Sequence, residues 1–320
     1  MLVSGLLVIG FGFLTAVSSA SAASYPSRPV RIIATSLPGS PTDVAARVVG
    51  NSLTELWGQQ FIVDNRSGAG GQIAAEITAK ATPDGYTIMI SSDGPVAISP
   101  ALKRKLPYDP LKDFEPLAFA AFNDYILIVN PTLLVYSVSD LVKLARSKPG
   151  GLRYGSAGVG SPNHLGMELF KQKAGIDLVH VPYKGGPAAI IDLLAGQIEL
   201  MFAGPPSIPH VKAGRLRAIA VPSAKRSALM PDLPSIAETI PGVDVRTWGA
   251  FFAPAGTPKA ILDKLHQEIT RQLNLPQTVK LMASQGLRVE AMTRSELREM
   301  LKADIQKYTE LVRALKIPRV

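Results

Sequence analysis

The 320-residue chain contains no cysteine. Disulfides, thiolate zinc sites, cysteine nucleophiles and a lipid-modified N-terminal cysteine are thereby excluded. Histidine is scarce: His164, His180, His210 and His266 are the four present, and none falls in a pattern such as H-E-x-x-H. No metal site and no cofactor is expected. Aromatic residues make up only 6% and charged residues 18%. Hydrophobic residues reach 47%, enough for a large core and too many for wholesale disorder. Gly (27) and Pro (26) are frequent enough to punctuate loops, well short of a low-complexity chain. The length suggests two domains.

The first residues carry no charge at all from Met1 to Ser24. An apolar run from Leu2 to Val17 precedes small residues, with Ala20-x-Ala22 as a cleavage pattern. Residues 1–23 therefore read as a secretory signal peptide, though without the usual basic start. The run is short for a membrane span, which needs about 20 residues, and no other segment is long and apolar enough. The expectation is an exported, periplasmic protein.

The formal charge is +9, but the basic residues are spread along the chain without a run of five or six. No zinc finger or RNA-binding signature is present, so no nucleic-acid partner is expected. A basic surface attracts small anions.

Short β-branched runs alternate with helical patterns. Strands are predicted over Val30–Ser36, Phe61–Asp64, Tyr86–Ser91, Ile126–Asn130, Leu152–Ser156, Leu178–Pro182, Ile198–Phe202 and Leu216–Val221. Helices are predicted over Thr42–Trp57, Gly71–Ala81, Ser139–Arg146, Pro162–Lys173, Pro187–Ala195, Pro258–Leu273 and Arg294–Leu315. The strands are apolar throughout, which suits a parallel sheet covered on both faces. The class is α/β.

The helix starts are the most informative feature. Gly39-Ser40-Pro41-Thr42-Asp43 places Ser40 as N-cap, Pro41 at N1 and Asp43 in a capping box. Gly160-Ser161-Pro162-Asn163-His164 repeats the device. Each sets free backbone N–H groups and a positive helix end at the carboxyl edge of a sheet, where ligands bind in open α/β folds. Two more glycine-rich turns lead into helices: Asn65 to Gly71, and Tyr183-Lys184-Gly185-Gly186-Pro187. Any one is an ordinary tight turn. Four, two in each half, point to an anion held between two lobes. None matches a Walker A loop or G-x-G-x-x-G, so nucleotide binding is disfavoured.

Individual residues carry competing readings. Asp43 is a helix-start cap, pairing with Arg47 at i,i+4, or an acceptor for a ligand amine or water. His164 is either a hydrogen-bonding cleft residue or a surface histidine. Asp192 is read as holding the neighbouring Lys184–Gly186 loop, Arg66 as bracing its own loop, and Trp248 as hinge packing. A secreted ester hydrolase using Ser161 and His164 is the alternative function. It is disfavoured because no G-x-S-x-G elbow exists, no acid is placed to orient His164, and Ser161 as N-cap would spend its oxygen on backbone N–H groups.

Several strings together carry a resemblance. They are Pro38–Asp43, Asn65–Gly71, Tyr154–Ser161, His164-Leu165, Val181–Ala188 with Asp192-Leu193-Leu194, and Ala253–Pro258. In this order, over essentially the whole mature chain, they resemble the Bug-type extracytoplasmic solute receptors of tripartite tricarboxylate transporters. The resemblance implies a type 2 periplasmic-binding-protein fold, two α/β lobes joined by a two-segment hinge, and no enzymatic activity. It implies a small organic carboxylate as ligand: a dicarboxylate, tricarboxylate, acidic amino acid or aromatic acid. The partners it implies are inner-membrane transporter subunits or a sensor, with the receptor itself a monomer.

Carried onto this chain, the ligand-binding residues are Pro38, Gly39, Ser40, Thr42, Asp43, Ser67, Gly68, Ala69, Gly70, Ser91 and Ser92 from lobe 1. Lobe 2 supplies Ser156, Ala157, Gly158, Gly160, Ser161, His164, Lys184, Phe202 and Ala203. Lobe 1 is expected over 24–122 and 245–320, and lobe 2 over 123–244. The crossings would fall near Asn123–Ile126 and Val245–Ala250. The chain departs from the family pattern at Ser36-Leu37, Ser40 and Ala203-Gly204. A smaller, less polar wall at these points would favour an aromatic or apolar carboxylate.

Overall fold

A computed structural model describes residues 25–320 except 104, 229, 316, 318 and 320. The proposed signal peptide lies outside the described residues. In chain order the elements begin β1 (Val30–Ala34), α1 (Pro41–Trp57), β2 (Phe61–Asn65), α2 (Gln72–Ala79), β3 (Thr87–Ser92), α3 (Ser99–Leu102) and β4 (Phe114–Asp124). There follow β5 (Ile126–Val129), α4 (Val138–Ser147), β6 (Arg153–Ser156), α5 (Pro162–Ala174), β7 (Val179–Pro182), α6 (Gly186–Leu194), β8 (Leu200–Ala203), α7 (Ile208–Lys212) and β9 (Arg217–Ala220). The chain returns as β10 (Arg246–Pro254), α8 (Lys259–Leu273), α9 (Pro276–Ser284), β11 (Leu287–Arg288) and α10 (Arg294–Ala314).

Two sheets result. The first has the order β11-β4-β10-β3-β1-β2, the second β7-β6-β8-β5-β9. The chain leaves the first sheet at Asp124 and enters the second at Ile126, with Tyr125 alone between. It comes back between Ala220 and Arg246. The C-terminal helices return to the first sheet: Ile261, Leu265 and Ile269 of α8 pack with Val30, Ile32 and Val49, while Leu297, Leu301 and Tyr308 of α10 pack with Phe114, Trp248 and Phe252. Every strand and helix anticipated from the sequence is present within a few residues.

The expectation of a parallel sheet needs correction. β1 is parallel to β2 and β3, and β6 to β7 and β8. β10, however, runs antiparallel to β3 and β4, and β5 antiparallel to β8 and β9. The sheets are mixed because the strands that carry the chain between them must run back toward the other sheet. β4 also escaped the sequence reading. Its run FEPLAFAAFND is alanine-rich and contains Pro116, both poor strand signals. Pro116 is tolerated because β11 pairs β4 only at Phe122 and Asn123, leaving the strand's start as an edge.

Candidate functional site

The carboxyl ends of β1, β2 and β3 share one edge of the first sheet, and those of β6, β7 and β8 one edge of the second. The long helices α1 and α5 begin on these edges. Between them lies a cavity of about 200 Å³ lined by Ser36, Ser40, Pro41, Thr42, Ser92 and Asp93 from the first sheet's loops, and by Pro162 at the start of α5. Its inner end is formed by Asn123, Tyr125, Thr247, Trp248 and Gly249, at and beside the crossings. A second space of about 500 Å³ opens beside it, sharing Ser92 and Pro162 and adding Ala69, Gly70, Gly160 and Ser161.

The start of α1 is held by a tight network. Ser36 Oγ lies 2.5 Å from Ser40 Oγ and also meets Thr42 Oγ1. Ser40 caps the helix, its oxygen accepting from Asp43 N at 3.3 Å. Asp43 is 2% exposed. Its Oδ2 accepts from Gly39 N (2.8 Å) and Arg47 Nε (3.0 Å), and its Oδ1 from Asn65 Nδ2 (2.9 Å). The reciprocal arm of the expected capping box thus reaches Gly39 N. Burial alone would raise the Asp43 carboxyl, but the Arg47, Gly39 and Asn65 hydrogen bonds outweigh it and hold it below the usual carboxylate range. Both oxygens serve the loop, which fixes the Gly39–Thr42 backbone beside the cavity. The i,i+4 pairing with Arg47 anticipated from the sequence is present. Gly249 matters to this arrangement: a β-carbon there would sit 3.1 Å from the Thr42 methyl.

The second glycine turn is built as the sequence suggested. Gly68–Gly71 forms a 3-10 turn after β2, with Ala69 at φ 51° and Gly70 at φ 67°. Ala69 and Gly70 face the larger space, as do Gly160 and Ser161. Ser91 is buried and donates to Ser92 O at 2.8 Å, so Ser92 is the member of the pair at the cavity. Arg66 bonds Asp64 Oδ1 at 2.9 Å, as expected of a loop brace.

In the second lobe Ser161 departs from its expected role. Its side chain makes no capping bond; Oγ lies 2.6 Å from Gly158 O and 2.7 Å from Asn163 Oδ1. His164 Nδ1 instead accepts from Gly160 N at 3.1 Å. His164 is buried, neither a surface histidine nor partnered with Ser161, and stacks on His180 at 4.1 Å between ring centroids. His180 stacks in turn on Tyr154 and sits 2.6 Å from Ser156 Oγ. Ser156 Oγ also receives Gly158 N at 3.1 Å, and Ala157 N donates to Asn163 Oδ1. Burial lowers both histidine pKa values, with the His164 ring adding to the effect on His180, which falls to about 4. This stack supports the loop before α5 from behind. The ester-hydrolase reading finds no support here, since Ser161 and His164 are each bound elsewhere.

Lys184 is exposed after β7, and Tyr183 Oη donates to Asp192 Oδ2 at 2.8 Å, the loop-holding role read for Asp192. The side chains of Phe202 and Ala203 lie inside the two apolar clusters of the second lobe and do not line the cavity. The carbonyl of Phe202 accepts from Asn163 Nδ2 at 3.2 Å. Leu37 is exposed.

Sequence reasoning treated Asn123, Tyr125 and Thr247 only as crossing segments. Polar residues at a point where apolar strands exchange sheets were the available signal. Thr247 Oγ1 reaches Asn123 O at 3.1 Å, and Trp248 Nε1 donates to Asp304 Oδ2 of α10 at 2.7 Å. Trp248 is thus packed as expected, and also forms cavity wall.

Residues 45–317 match the model of the tripartite tricarboxylate transporter family receptor. The chain is 35% identical to protein BugT of Bordetella pertussis over 313 residues, covering 96% of each. Among solved structures, Rpa4515 of R. palustris with adipate is 35% identical, with a TM-score of 0.80 over 90% of this chain and 97% of that one. MatC of Rhodopseudomonas palustris with bound malate is 28% identical, with a TM-score of 0.76 over 90% and 100%.

Proposed function

The chain belongs to the tripartite tricarboxylate transporter receptor family, and on that premise we propose that it captures a small organic carboxylate in the cleft between its lobes. It would work in the periplasm after removal of residues 1–23, and pass its ligand to inner-membrane transporter subunits or a sensor. In this reading lobe 1 comprises residues 24–122 with 245–320, and lobe 2 residues 123–244. The observation that carries the reading is the meeting of the α1 and α5 starts on one cavity, with Ser36, Ser40 and Thr42 hydroxyls beside it. The positive ends of both helices favour a carboxylate there. Likeness to proteins solved with adipate and with malate supports the same class. The Asp43 carboxylate does not oppose it, being neutralised within its own loop by Arg47 and two N–H donors.

A thermal-shift panel of di- and tricarboxylates, acidic amino acids and aromatic acids on the mature protein tests this. A ligand at 100 times its Kd adds about 2.7 kcal/mol, several degrees of Tm. The ligand should be recovered chemically unchanged. A flat panel on folded, ligand-free protein would reject the proposal.

A further inference from the structure

Two residues that line the cavity each carry an oxygen atom with no hydrogen-bond partner. The atoms are Asp93 Oδ1 and Asn123 Oδ1, both buried, on two residues that line the same 200 Å³ space. Asp93 is 1% exposed. An unmatched buried oxygen is costly, so such atoms are normally satisfied by something. The Tyr125 hydroxyl lies beside Asp93 and Thr247 in the same lining, and other side chains nearby are already committed. Trp248 Nε1 and Lys307 Nζ both go to Asp304, and Thr247 Oγ1 goes to Asn123 O. Tyr308 Oη reaches only the other oxygen of Asp93, at 3.5 Å. No cation pairs with Asp93 at salt-bridge distance among the described residues.

Resting on the receptor reading above, we infer that Asp93 and Asn123 form an acceptor subsite in the lining of the cleft, selecting carboxylates that carry a hydroxyl away from the acid group. The carboxylate end lies at the α1 and α5 starts, and the hydroxyl meets the two oxygens near the crossings. A hydroxyl fits for a specific reason. Burial, with Asp304 nearby, pushes Asp93 up to about 8, so its carboxyl is largely protonated at neutral pH. A protonated carboxyl donates one hydrogen bond and accepts another, and a hydroxyl does both in return. A site built to hydrogen-bond a hydroxyl rejects the analogue lacking it, because the buried polar groups are then left unpaired.

The test is isothermal titration of the mature protein with matched pairs: malate against succinate, and 3-hydroxybutanoate against butanoate. At least one pair should bind, its hydroxylated member tenfold or more tighter. Asp93→Ala and Asn123→Ala should each bring that pair within about threefold. Asp93→Asn, which keeps an acceptor and a donor, should retain most of the preference. Circular dichroism and melting curves identify any variant that fails to fold, and the wild-type comparison stands without them. Equal binding within a pair overturns the subsite while leaving the receptor reading intact, the two oxygens then serving ordered water. A preference that survives both alanine variants also overturns it. If all four probes fail to bind while other carboxylates do, the subsite is overturned alone. If no carboxylate binds, both readings fall.

Discussion

Gly286, just before β11, and Pro205, just after β8, meet where the two lobes approach each other. A β-carbon on Gly286 would lie 2.4 Å from Pro205 Cγ and 2.8 Å from its Cβ. The φ of Gly286 is +72°, so a side chain there is strained as well as crowded. The proline ring cannot swing aside. A second close approach between the lobes occurs where a β-carbon on Gly160 would fall 2.5 Å from Leu102 Cδ1.

Gly286→Ala is expected to lower stability by about 1–3 kcal/mol through overpacking and backbone strain. It should also weaken ligand binding, because the lobes can no longer meet at this point. Denaturant unfolding and ligand titration check both effects. Unchanged affinity would show that binding does not need this contact.

Asp43→Ala removes the acceptor for Gly39 N, Asn65 and Arg47 together. The expected cost is about 1–3 kcal/mol, since the buried acceptor that ties these three donors together is lost. Ligand affinity should fall with it, because the Gly39–Thr42 backbone is no longer fixed. Asp43 has a folded pKa below its unfolded one. Its stabilisation is full above about 4 and is lost as pH falls through the folded value. The wild type should therefore lose more stability than Asp43→Ala between pH 4 and pH 2.

The stacked histidines make the second lobe acid-sensitive at a higher pH. His180 has its pKa lowered from 6.5 to about 4, and His164 is lowered in the same direction. The unfolded chain takes up protons at these rings first as pH falls. Their contribution is present above about 6.5 and lost on descending to about 4. Melting curves from pH 7 to 4 should show this loss. In His180→Gln the slope between pH 6.5 and 4 should be shallower, and an equal slope would show that the stack does not set it.

Asp93 works in the opposite sense. Burial raises its pKa from 3.8 to about 8. The stabilisation from keeping it protonated is full below about 3.8 and declines as pH rises, until it is spent above about 8. Asp93→Asn, which cannot ionise, should melt higher than the wild type at pH 9. A wild-type Tm unaffected by this change at pH 9 would contradict the assignment of a protonated Asp93.

Trp57 and Trp248 are the two tryptophans of the chain. Trp248 lines the cavity, whereas Trp57 packs with Tyr25 and Phe61 on α1's far end. Ligand should change tryptophan emission in the wild type and in Trp57→Phe. The response should vanish in Trp248→Phe, even where titration calorimetry still detects binding.

The elements and the loops of the site were legible because their causes are local. Ser40, Pro41 and Asp43 define the start of α1 within four residues, and Asp43 meets Arg47 one turn on. The Gly68–Gly71 turn and the Thr293–Glu296 capping box of α10 are similarly written into short strings. Local signals misled where two acceptors competed for one role, as at Ser161, whose hydroxyl turned to Gly158 O while His164 took Gly160 N. They were silent for β4 and β10, whose pairing is antiparallel and long-range and whose aromatic residues are interrupted by Ala, Gly and Pro.

The sequence by itself determined the α/β class, the glycine turns and the helix starts that suit a carboxylate, because caps, turns and apolar periodicity are satisfied within a few residues. Only the tertiary structure decided which side chains close the inner end of the cleft. Asn123 and Thr247 are 124 residues apart, and Tyr308 approaches Asp93 across 215. Asp93 is an ordinary acidic residue in the sequence. It becomes a buried, protonated and half-satisfied one only when β4, β10 and α10 enclose it and water is removed.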